Sequence, residues 1–67
     1  MARTYDIHWV GGDRDGELLA QVDENEKNAD LIAERLADEL LEKHKDEFHP
    51  TWGGIGITNP DGTDHEW

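Results

Sequence analysis

The chain has 67 residues, of which 17 are Asp or Glu and only six are Lys or Arg, so its net charge is -11 at pH 7. Phosphate backbones and anionic membranes repel such a protein, which argues against direct binding to nucleic acid or to a membrane. The absence of cysteine excludes disulfides and thiolate metal sites. The length predicts a single small domain over residues 1–67, and the lack of a long apolar run predicts a cytoplasmic protein.

Two strand-like segments open the chain. Residues 4–10 alternate between apolar and polar side chains, which is the period of a strand with one buried face. A glycine-rich turn follows, and the alternation resumes in residues 17–22. The pattern predicts a β-hairpin that buries Leu18 and Val22 and leaves Leu19 on the open face of the sheet.

A helical period replaces the strand period from about Asn28 to about His49. Apolar side chains cover one half of the helical wheel in this segment, with Leu31 as the main exception. Pro50 disfavours helical geometry at the residue before it and sets the predicted end of the helix. The helix side chains predicted to be buried are Ile32, Leu36 and Leu40.

The remainder of the chain returns to strand and turn signals. Residues 54–58 alternate isoleucine with glycine, residues 59–62 carry Pro and Gly at the positions of a type I turn, and residues 63–67 can form a short last strand. The order is therefore β-β-α-β with a short C-terminal strand. It predicts an α+β fold in which one long amphipathic helix packs on one face of a small, mainly antiparallel sheet.

Four acidic residues on the helix form what we call the acidic ridge: Asp30, Glu34, Asp38 and Glu42. They repeat at every fourth position, which places successive carboxylates about 6 Å apart along the axis. Such a ridge imitates a phosphate backbone or docks on a basic protein surface. It is also the ordinary pattern of a solvated helix face, and a high acid content is typical of proteins from a cytoplasm of very high salt.

Three tryptophans, Trp9, Trp52 and Trp67, are more than so small a core buries completely. Partly exposed indoles are frequent anchors of protein interfaces. The alternative is that two of them cap the open end of the sheet.

The residue types argue against catalysis and metal binding. The chain contains neither serine nor cysteine, the commonest activated nucleophiles. His44 and His49 are five positions apart, a poor helical spacing for one metal ion, and a site from His8 and His65 requires these residues to be neighbours on the sheet. We therefore predict no enzyme activity, no metal and no cofactor.

The function that the residues favour is a non-enzymatic binding or regulatory module. It engages a protein partner, or a second copy of itself, through a tryptophan-containing surface. One alternative is an acidic inhibitor that mimics nucleic acid on a nucleic-acid-binding protein, and another is a small soluble protein whose acidity reflects only a high-salt cytoplasm. The residues predicted to bind are Asp30, Glu34, Asp38, Glu42, Trp9, Trp52 and Trp67.

Overall fold

The computed structural model describes residues 3–48 and 53–67, and it confirms the predicted α+β fold. The elements in chain order are β1 (Thr4–Val10), a 3-10 turn (Gly12–Arg14), β2 (Leu18–Asp23), α1 (Ala29–Lys43), β3 (Gly54–Thr58) and the short β4 (Asp64–His65). The strands form one antiparallel sheet in the order β2-β1-β3-β4. The helix α1 packs across one face of this sheet.

The central strand β1 carries the core, as its alternating pattern predicts. Ile7 is completely buried, and Trp9 is 4% exposed. Ile7 lies opposite Ala20 of β2 on one side and opposite Ile57 of β3 on the other. The buried face of the sheet is therefore continuous across its three longest strands.

The second strand departs from the predicted alternation at a β-bulge. Ile7 lies opposite Ala20, but His8 lies opposite Leu18, so Leu19 is an extra residue in β2. An extra residue reverses the alternation of side chains beyond it. Leu19 packs against the core, while Leu18 is 52% exposed. The prediction that Leu18 is buried and that Leu19 faces outward is therefore wrong.

The helix meets the sheet through small side chains. Its buried residues are Ala29, Ala33 and Ala37. Because a methyl group is small, this stripe lets the helix lie close to the sheet, and the larger Leu36 and Leu40 pack half-buried along its edge. Ile32 lies beyond that edge and is 36% exposed. The prediction that Ile32 is buried is wrong because the contact is centred on the alanines.

The helix α1 ends at Lys43, several residues before the predicted end near His49. The backbone N–H of Glu47 donates to the carbonyl of His44 at 2.8 Å, so the chain turns after the helix. This turn brings the ring of Phe48 against the indole of Trp9, with 4.3 Å between ring centroids. Aromatic packing thus accompanies the early end of the helix, and Pro50 lies outside the described residues.

Candidate binding groove

A groove of about 630 Å³ runs between the outer side of α1 and the C-terminal segment, and we call it the α1 groove. It is lined by Lys27, Asn28, Leu31, Ile32, Glu34, Arg35, Asp38 and Trp67. Three of these side chains are large, apolar and exposed: Leu31 by 57%, Ile32 by 36% and Trp67 by 46%. Several apolar side chains on one concave surface are a common feature of binding sites.

The turn between β3 and β4 carries the chain back to this side of the molecule. The N–H of Asn59 donates to the carbonyl of Thr63 at 2.7 Å, and the N–H of Gly62 donates to the carbonyl of Asn59 at 2.9 Å. Gly62 has a φ of 91°, a left-handed conformation that glycine adopts without strain. The turn thereby places β4 beside β3 and Trp67 beside α1.

His65 connects β4 to the helix. Its Nε2 lies 3.1 Å from Oε2 of Glu34 on α1, and its Nδ1 lies 3.0 Å from Oδ1 of Asn59. Its ring also packs edge-on against Tyr5 of β1, with 6.0 Å between ring centroids. Glu34 therefore belongs both to the wall of the α1 groove and to the contact that fixes the C-terminal segment.

The acidic ridge is not a uniform row of free carboxylates. Asp30, Asp38 and Glu42 are exposed, but Glu34 is half-buried and faces His65. Glu42 accepts a hydrogen bond from Nζ of Lys45 at 3.1 Å. Two of the four ridge carboxylates are thus engaged within the protein, and Glu34 and Asp38 also line the α1 groove.

The excess of carboxylates predicts that salt stabilises the fold. Acids confined to a small volume repel each other, and raising KCl from about 0.1 M to about 1 M shortens the screening length from about 10 Å to about 3 Å. We expect the urea midpoint of unfolding to rise. A variant carrying both Asp30→Asn and Asp38→Asn is the control, and the same increase in KCl should raise its urea midpoint by less. Equal midpoints of the wild type in both salts would contradict the prediction.

Trp9 belongs to the core and not to an exposed surface. Its indole packs against Phe48 and His44, and the guanidinium carbon of Arg14 lies 3.9 Å from its ring centroid. A guanidinium at this distance makes a cation–π contact. Of the other two tryptophans, Trp67 lines the α1 groove, and Trp52 lies outside the described residues.

Ion pairs surround this buried indole. Arg14 Nη2 lies 2.5 Å from Oε2 of Glu17, and Arg14 Nη1 lies 3.4 Å from Oε1 of Glu47. Glu47 also bonds to Nδ1 of His44. This hydrogen bond, together with the positive charges of His44, Arg14 and Lys43, holds the pKa of Glu47 below its usual value. The contacts fasten the loop after β1 to the end of α1.

The histidines do not come together as the metal hypothesis required. His65 lies opposite the buried Ile57 and faces α1, whereas His8 lies on the other face of the sheet, with its Nε2 3.1 Å from Oγ1 of Thr58. His49 lies outside the described residues. Within residues 3–48 and 53–67, no three His, Asp or Glu side chains are grouped to hold a metal ion.

Sequence reasoning did not identify the α1 groove. Trp67, Glu34 and Asp38 were predicted to bind and do line it, and a further signal was Leu31, the apolar residue that does not fit the buried face of the helical wheel. No family model, curated protein or solved structure matches this chain. Among the described residues, no helix has the length and apolar character needed to cross a membrane.

Proposed function

We propose that this protein is a non-enzymatic binding module whose α1 groove receives apolar side chains of a basic protein partner. The observation that carries the proposal is the exposure of Leu31, Ile32 and Trp67 in one groove. Leaving three large apolar side chains in water costs free energy that a bound partner recovers. The small alanine contact between helix and sheet leaves these residues available for that purpose.

Charge supports a basic partner over a second copy of the chain. The net charge of -11 attracts a basic protein and accelerates its association, whereas two copies repel each other. The exposed Asp38 at the groove offers a direct carboxylate contact. Lys27 and Arg35 also line the groove, and they supply hydrogen-bond donors for carbonyl groups of the partner.

A synthetic amphipathic peptide of leucine and lysine is a suitable probe, with a leucine–glutamate peptide as its negative control. We expect Leu31→Asp to weaken binding of the leucine–lysine peptide about tenfold or more by calorimetry, since loss of one buried leucine contact costs about 1.5–3 kcal/mol. Electrostatics alone predict the opposite result, because the substitution makes the protein more acidic.

The matched control is Leu18→Asp. Leu18 is 52% exposed on the opposite face of the sheet, so this variant adds the same charge away from the groove. It should bind the peptide at least as well as the wild type. Equal affinity of Leu31→Asp and Leu18→Asp for the peptide would refute the proposal that the α1 groove is the binding site. If that affinity also fell steeply with salt, the acidic nucleic-acid mimic would become the better description.

A further inference from the structure

The short strand β4 depends on side-chain contacts for its position. It has two residues and pairs with β3 at two positions, Ile57 with His65 and Thr58 with Asp64. The side chain of His65 is only 18% exposed and provides the contacts that join this strand to α1. His65 therefore links the segment leading to Trp67 to the helix.

Both ring nitrogens of His65 face hydrogen-bond acceptors. The amide nitrogen of Asn59 lies 3.4 Å from the carbonyl oxygen of Asp64 and 3.1 Å from Oγ1 of Thr63. A carbonyl only accepts, so the Asn59 amide nitrogen must point there and its oxygen must point to Nδ1 of His65. On the other side, Nε2 faces the carboxylate of Glu34.

A neutral imidazole has one N–H and satisfies only one of these two acceptors. The protonated ring donates to both, and its bond to the Glu34 carboxylate is assisted by charge. The ring also packs against the Tyr5 phenol ring of β1 and bonds to the uncharged Asn59 of the turn. Glu34 is the charged group on α1 that bonds to the ring, and only a ring with both N–H groups donates to Glu34 and Asn59 at once.

We propose that His65 is a pH-responsive latch of the α1 groove. When the ring is protonated, it bonds to both Glu34 and Asn59 and holds β4, and with it Trp67, against the helix. When the ring is neutral, one of the bonds is lost and Trp67 becomes more mobile. The role of the latch in binding rests on the proposed function, whereas the latch itself is a property of the free protein.

The latch can be tested without a partner by NMR of the isolated protein. Histidine changes its charge between about pH 5 and pH 8, so the heteronuclear NOE of the Trp67 indole N–H is compared at those two limits. We expect this NOE to be high at the lower pH and to fall at the higher pH, in step with the titration of the His65 ring protons. Titration of His65 with no change at Trp67 would overturn the proposal.

Glu34→Gln is the decisive variant. The glutamine amide can donate to Nε2 of a neutral ring, while Nδ1–H donates to Asn59, so the neutral form now makes both bonds. We expect the fall in the Trp67 NOE to disappear or to reverse in this variant. If the Trp67 NOE fell as much in this variant as in the wild type, the assignment of Glu34 and Asn59 as the two acceptors of His65 would be refuted.

Two further variants separate the latch from a general effect of pH. In His65→Gln, the NOE of Trp67 should no longer depend on pH. In His8→Gln, which removes a histidine on the opposite face of the sheet, the wild-type response should persist. Loss of the response in His8→Gln would contradict the proposal. No peptide is added in these NMR experiments, so their result does not depend on whether the α1 groove binds the leucine–lysine peptide. A failure of the latch can therefore be distinguished from a failure of groove binding.

Discussion

Replacement of Trp9 by alanine is expected to remove most of the folding stability of the protein at room temperature. Trp9 is 4% exposed and packs against Phe48, His44 and Arg14. Truncation of a buried tryptophan costs about 3–5 kcal/mol. Domains of this size lie at the low end of the usual range of about 5–15 kcal/mol for the free energy of unfolding. Thermal melting followed by circular dichroism would measure the loss.

The matched control is Trp67→Ala, which removes the same side chain from the α1 groove. Trp67 is 46% exposed, so we expect the free energy of unfolding to fall by less than about 1 kcal/mol. If both variants melted at the same temperature, the assignment of Trp9 to the core and Trp67 to the surface would be contradicted.

Enlarging Ala33 to leucine is expected to have the second largest effect. Ala33 is 0% exposed between α1 and the sheet, where the methyl side chains allow the two layers to approach closely. A longer side chain forces the layers apart or into strained rotamers, which costs about 1–3 kcal/mol. Urea denaturation at equilibrium would show a lower midpoint with little change in slope.

Glu39→Leu is the control for this substitution, because it introduces the same leucine on an exposed part of the same helix. We expect the free energy of unfolding to change by no more than about 0.5 kcal/mol. An unchanged urea midpoint in Ala33→Leu would show that the space between helix and sheet accommodates a leucine. That result would contradict the close contact through alanine side chains.

The fold was predictable where the local pattern and the tertiary contacts agree. Alternation in β1 identified Ile7 as buried, and the change to a helical period identified α1. The errors arise where pairing between segments overrides the local pattern. The bulge in β2 exposes Leu18, and the alanine stripe moves Ile32 to the edge of the contact, because the register and the helix position depend on residues distant in sequence.

The α1 groove was less predictable than the fold. The sequence indicated that some tryptophans are exposed, but it did not distinguish the buried Trp9 from Trp67. The groove forms because the β3–β4 turn brings Trp67 to the same side of the molecule as Leu31. The two residues are far apart in the sequence, so no local periodicity predicts that they line one groove. Of the acidic ridge, Glu34 and Asp38 line the groove, while Glu42 bonds to Lys45.

The central place of β1 in the sheet has a consequence for synthesis on the ribosome. His8 and Thr58 lie on paired strands although they are 50 residues apart in the chain. At about 5–20 residues per second, β3 is translated roughly 2.5 to 10 seconds after β1. Until then it can pair only with β2, and an isolated hairpin is marginally stable in water. One edge of β1 therefore stays unpaired in the nascent chain until β3 leaves the ribosome.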